Sequence, residues 1–187
     1  MEERKWIEQI LAGDVQSFSC LIAKYEKMAY TLAFRVMGNK EEAEEVTQDA
    51  FIKVYNALDT FKFESKFSTW LYRIVYCTAL SALRQQKIFT DYDEARPEDL
   101  TEKEMDSAAS LLERNDRREI ISQVMSLLAP DEAMLLTLFY LEECSMDDIH
   151  QITELTISNI KVKLHRGRKH FYEKLQQLMK TEARSLL

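Results

Sequence analysis

Glycine and proline are almost missing from this chain: three and two among 187 residues. So few breakers cannot punctuate a sheet of short strands, which leaves long helices as the expected architecture. No apolar run approaches the roughly 20 residues needed to span a bilayer. The opening "MEERKWIEQI" has no apolar stretch of the kind a secretory signal carries. Both absences point to a cytoplasmic protein without membrane insertion. Cys20, Cys77 and Cys144 are odd in number, far apart and free of C-x-x-C spacing. A disulfide framework or zinc site is therefore not expected; buried thiols in a reducing compartment are the plainer reading. The three histidines fall in no H-E-x-x-H pattern, and no glycine-rich phosphate loop is present. No metal, no cofactor and no enzymatic activity are expected.

What remains is apolar enough to build a core, at 46% of residues, and acidic overall, with a formal net charge of −7. The acidity is concentrated. Residues 1–87 hold twelve basic and twelve acidic groups, residues 88–115 three and nine, and residues 116–187 ten and eleven. The middle segment has weak periodicity and one of the two prolines. It reads as an acidic flexible linker, a solvated tether between two small helical domains.

In the first domain, Phe18, Leu21, Ile22, Tyr25, Ala29, Leu32 and Val36 recur at three- and four-residue steps, predicting a helix over 14–36. Gly38 marks its end. Asn39, with Glu42 three residues on, is a capping-box-like start to the next helix. There Ala43, Val46, Ala50, Val54 and Ala57 make an inward stripe. Glu41, Glu45, Gln48 and Ile52 line the opposite face, flanked by Asp49. A charged outer face is ordinarily just solvated, although an exposed Ile among acids and amides suggests a partner surface. A loop follows in which Phe61, Phe63 and Phe67 alternate with Lys62 and Lys66. Ser65 or Ser68 is the expected N-cap of the helix after it. That helix puts Phe67, Leu71, Ile74 and Thr78 on one face, with Trp70 beside them, and runs on to Arg84 and Lys87. Aromatics among cations suit single-stranded nucleic acid, which offers flat bases and charged phosphates. Taken alone, a core-capping role for the rings is the simpler reading.

The second domain opens with an amphipathic stretch expected to turn Ile120, Ile121, Val124, Leu127 and Leu128 inward. An apolar helix introduced by Pro130 follows. Ser145, with Asp148 at the box position, caps a short helix; "TELT" makes a turn; Thr156 or Ser158 begins a longer helix. Short helix, tight turn and long helix form a helix-turn-helix. In the last helix Ile157, Ile160, Leu164, Phe171, Leu175 and Leu178 make the buried stripe. Asn159, Val162, Arg166 and Lys169 stand opposite, flanked by Ser158, Lys163 and His165. Residues 155–171 contain five Lys or Arg, two histidines and no carboxylate. Such a face fits the major groove, and the net charge of the chain does not forbid it, because binding follows the local field.

The order of motifs, "AEEVTQDAFIKVYNALDTF", "FSTWLYRI" and "NIKVKLHRGRKHF", resembles the extracytoplasmic-function (ECF) family of bacterial sigma factors, and the last is similar in style to Bacteroidetes members. The resemblance covers nearly the whole chain. It implies an all-α fold with sigma domain two at 1–87, the acidic linker at 88–115 and sigma domain four at 116–187. It also implies a protein that binds core RNA polymerase, directs it to promoter DNA and helps melt it. Glu41, Glu45, Gln48, Asp49 and Ile52 would dock on the polymerase clamp. Phe61, Lys62, Phe63 and Lys66, with Trp70, Arg73, Arg84 and Lys87, would hold the −10 element as a single strand. Ser158, Asn159, Lys161, Val162, Lys163, His165, Arg166 and Lys169 would read the −35 element as duplex. The linker would enter the polymerase cleft near the RNA path. An anti-sigma factor is an expected partner, and a monomer the expected free state.

Five positions depart from the family pattern: Cys77 and Ser81 replace its usual Asn and Asp, His150 a small Ala, Glu154 a turn Gly and, mildly, Cys144 a Leu. Two other readings therefore stand beside the sigma factor. One is a stand-alone helix-turn-helix regulator that binds palindromic DNA as a dimer; the other is a helical adaptor.

Overall fold

The computed structural model describes the backbone of residues 2–90 and 114–185, and the side chains of 2–86 and 119–179. Most of the predicted linker thus lies outside the described residues. At its edges, α4 continues to Thr90 and α5 begins at Arg114.

Among the described residues all regular structure is helical. The N-terminal half comprises α1 (Glu2–Leu11), α2 (Gln16–Met37), α3 (Lys40–Asn56) and α4 (Phe67–Thr90), with a 3₁₀ turn at Leu58–Thr60. Sequence reasoning had no place for α1, whose apolar pair Ile7 and Ile10 is nevertheless buried. Gly38 ends α2 at φ 70°, its N–H bonded to the Phe34 carbonyl. Asn39 caps α3 by accepting from the Glu41 and Glu42 amides. Glu42 does not close the box; its carboxylate accepts from Gln86 on α4. α2, α3 and α4 pack pairwise around Leu21, Leu32, Val54 and Leu71, all essentially inaccessible. Truncating one such leucine to Ala costs about 2–5 kcal/mol.

The C-terminal half comprises α5 (Arg114–Ser126), α6 (Pro130–Leu136) passing into a π turn at Thr137–Leu141, α7 (Met146–Thr153) and α8 (Ile157–Ser185). The inward face of α5 differs from the expected one. Val124, Met125 and Leu128 are buried, while Ile121 and Leu127 are exposed. Ser145 and Asp148 form the full capping box of α7. Thr156, not Ser158, caps α8: its hydroxyl accepts from the Asn159 amide. Ile157 is more exposed than its place in the stripe suggested, and Gly167 is buried instead. There a Cβ would stand 3.3 Å from Cβ of Glu132.

The two halves pack directly, α4 against α7 and α2 against α6. The thiols also differ from expectation: Cys144 is buried, and burial raises its pKa to about 11, but Cys77 is exposed.

Candidate nucleic-acid interface

Three surfaces carry the predicted site residues. The first is the outer face of α3, where Glu41, Glu45, Gln48, Asp49 and Ile52 are all exposed. Ile52, at 59% exposure, borders an apolar groove between α2 and α3 whose walls include Phe18, Phe51 and Tyr55. An open apolar groove beside amide and carboxylate groups is a surface made for a protein partner.

The second is the loop before α4. Phe61, Phe67 and Trp70 form a packed aromatic cluster with centroids 5.2–5.7 Å apart. Phe61 is buried to 7% exposure, so it cannot stack a base and instead supports Phe63 above it, 4.8 Å away. Phe63 points outward at 40% exposure from a left-handed backbone, φ 59°. A bulky residue there is strained, at a cost on the order of 1–3 kcal/mol. Neither Ser65 nor Ser68 stands at the N-cap of α4. The helix starts at Phe67, and the Lys66 carbonyl accepts the Trp70 N–H. Lys62, Lys66, Arg73 and Arg84 are exposed; the Lys87 side chain lies outside the described residues.

Lys66 and Arg73 already have partners. Lys66 bonds to Asp148 at 3.3 Å; Arg73 bonds to the Gln151 carbonyl at 3.2 Å and to the Glu154 carboxylate. Between them Thr69 donates to Asp148 at 2.9 Å and Tyr72 to Glu142. Burial, then the Glu142 carboxylate, push the Tyr72 phenol far up. Burial raises the Asp148 carboxyl, but bonds from Ser145, Thr69 and Lys66 outweigh it and hold the group below the usual range. Glu154, at φ 60°, keeps the left-handed turn that Gly would make without strain, its N–H bonded to the His150 carbonyl. His150 Nδ1 meets the Leu155 carbonyl at 2.8 Å and so carries the proton of that bond.

The third surface is α8. Ser158, Asn159, Lys161, Val162, His165, Arg166 and Lys169 are exposed along it. Lys163 is half-buried and tied to Asp131 of α6. Glu132, beside it, is buried, accepts from His170 Nδ1 at 2.8 Å and lies 4.0 Å from Arg166 Nε. The face free of carboxylates in sequence is therefore flanked in space by two of them. Sequence reasoning missed Glu132, since an acid in the first turn of a helix ordinarily serves the dipole and stays solvated.

These surfaces coincide with two known families. Residues 21–88 match Sigma-70 region 2, and residues 118–171 match Sigma-70, region 4. The ECF RNA polymerase sigma factor SigW of Bacillus subtilis (strain 168) is 31% identical over 182 residues, 94% of this chain and 97% of that protein. The chain belongs to the ECF-type sigma factors of the sigma-70 family. The sigma-E factor of Escherichia coli (strain K12) is 29% identical over 181 residues, covering 93% and 94% of the two chains. The fold matches the sigma factor RpoE of Bartonella quintana, solved in complex with the anti-sigma factor NepR. The TM-score is 0.69 at 21% identity, over 87% of this chain and 98% of that one. As a sigma factor this protein acts in transcription initiation. No described helix is long and apolar enough to cross a membrane.

Proposed function

We propose that this sigma factor uses its three surfaces in the order in which the chain presents them. The outer face of α3, with Gln48, Asp49 and Ile52 at its centre, docks on core RNA polymerase. Phe63 and Trp70, with Lys62, Lys66, Arg73, Arg84 and Lys87, take the −10 element as a single strand. Arg166 and its neighbours on α8 read the −35 element in the major groove. The functional units are residues 1–87 and 116–187, with 88–115 between them. The style of α8 supports a Bacteroidetes-like subgroup. The protein works in the cytoplasm without catalysis of its own, as a monomer when free, and is held by an anti-sigma factor, as the relative RpoE is by NepR.

One observation carries this reading: Asn159, Val162, Arg166 and Lys169 line a single exposed face of α8, directly after a capped α7 and a tight turn. That is the placement a recognition helix needs. Run-off transcription with core polymerase on genomic DNA tests it. Discrete transcripts that depend on this protein are expected. Sequence-specific binding to palindromic DNA by a dimer without polymerase would favour a stand-alone regulator instead, and neither result would leave the adaptor.

A further inference from the structure

The first turn of α6 grips one stripe of α8. Lys163, Gly167 and His170 recur at the spacing of successive helical turns, with Arg166 beside Gly167. Lys163 is tied to Asp131. His170 Nδ1 donates to one oxygen of Glu132 at 2.8 Å, and Arg166 Nε lies 4.0 Å from the other. Asp131 stays half exposed, as a first-turn acid ordinarily does, but the Glu132 side chain is only 7% exposed. Gly167 makes room for it: a Cβ there would stand 3.3 Å from Glu132 Cβ and 3.4 Å from Leu136 Cδ1. A buried carboxylate costs desolvation, and beside a helix that faces DNA it also repels phosphates. Its neighbour Arg166 nevertheless remains 64% exposed. Arginine reads guanine through two parallel N–H bonds. A carboxylate at the Nε edge of the guanidinium leaves the Nη1–Nη2 edge free to make them.

We propose that Glu132 is a positioning residue for base reading: from α6 it orients the guanidinium of Arg166 on α8, so that the Nη1–Nη2 edge meets the base. His170 holds the second carboxylate oxygen and so fixes Glu132 in turn. Buried as it is, Glu132 touches no base itself. It sharpens discrimination at the base that Arg166 meets and adds nothing to phosphate affinity. This role rests on the reading of Arg166 as a −35 base contact.

For the test, the full chain bound to core RNA polymerase selects a preferred duplex from a pool of randomised DNA. Competition titrations then compare that duplex with its single-base variants. Arg166→Ala identifies the base position at which preference is lost. Glu132→Gln should cut discrimination at that same position about tenfold, within what one bidentate pair carries. Mismatched duplexes should bind within about twofold of wild type. Glu132→Met fills the buried site without a charge, so it should lose the same discrimination while keeping or raising the thermal midpoint. If Glu132→Gln fails to fold by circular dichroism, the Met variant decides. In an Arg166→Ala background, Glu132→Gln should change discrimination no further. Equal tightening of matched and mismatched duplexes by Glu132→Gln would be the removal of a negative charge alone, and overturns the proposal. So does full discrimination in Glu132→Met, or a further loss in the Arg166→Ala background. If Arg166→Ala loses the preference and both Glu132 variants keep it, the positioning role falls and the base-reading role stands. If Arg166→Ala itself keeps the preference, the base-reading role falls and takes the positioning role with it.

Discussion

The guanidinium of Arg4 lies over the ring of Phe63, 4.9 Å from its centroid. The first helix therefore reaches the tip of the loop that would hold a −10 base, and the ring is covered by a cation that a base can displace. Exposed cation–π pairs contribute about 0.5–1 kcal/mol. Phe63→Gly should keep near wild-type stability, because relief of the left-handed backbone offsets the lost contact, whereas Phe63→Ala keeps the strain and melts lower. Both should abolish promoter opening in a permanganate footprint. Equal melting temperatures for the two variants would contradict the backbone argument; intact opening would remove Phe63 from the site.

On the α3 face, Gln48→Ala with Asp49→Lys should weaken capture by core polymerase. Both side chains are exposed, so the thermal midpoint should shift by no more than about 0.5 kcal/mol in equivalent stability. A pull-down with unchanged affinity would move the docking site elsewhere.

Arg166 and Lys169 should separate by kind of effect. Arg166→Ala is expected to cost about 1–3 kcal/mol on the preferred −35 duplex and to flatten discrimination at one base. Lys169→Ala should weaken all duplexes alike and lower the salt slope by about one unit. Lys163, held by Asp131, should matter less than either. Competition titrations at several salt concentrations read all three. A sequence preference that survives Arg166→Ala passes base reading to Lys161 or His165.

Asp148 should make the packing of α7 on α4 sensitive to acid. Its folded pKa lies below the ordinary value. The bonds to Ser145, Thr69 and Lys66 thus contribute fully above the unfolded carboxylate pKa of about 3.9, and the contribution fades as pH falls through the lower folded value. Glu142 and Glu154 face the same surface, opposite Tyr72 and Arg73. Denaturation midpoints of wild type and Asp148→Ala should therefore differ at neutral pH and converge as pH falls below the ordinary carboxylate range. A gap that is constant with pH would assign the effect of Asp148 to something other than its charge.

The helices, their caps and the turn were legible because each is a local code. Asn39 and Ser145 cap where their side chains predict, and Gly38 stops α2. The outer faces of α3 and α8 were legible for the same reason, since helical periodicity alone decides which side is out. Apart from α1 and the start of α4, the misses are tertiary. Ile121 and Leu127 have the spacing of core residues, yet the neighbours of α5 cover a different stripe. Phe61 and Phe63 look alike in sequence, and only packing separates the support from the exposed ring. Glu132 and the partners of Arg73 depend on contacts spanning dozens of residues, which no periodicity reports. Glu154 looked like a defect in the turn when set against a family glycine. In space its carboxylate pairs with Arg73.

That last substitution has a mutational consequence. Glutamate and glycine codons of the same third letter differ only at their middle base, so one transition converts Glu154 to the residue its backbone already prefers. The Glu154–Arg73 pair is therefore lost in a single step on the mutational map, and that step relieves backbone strain rather than adding it.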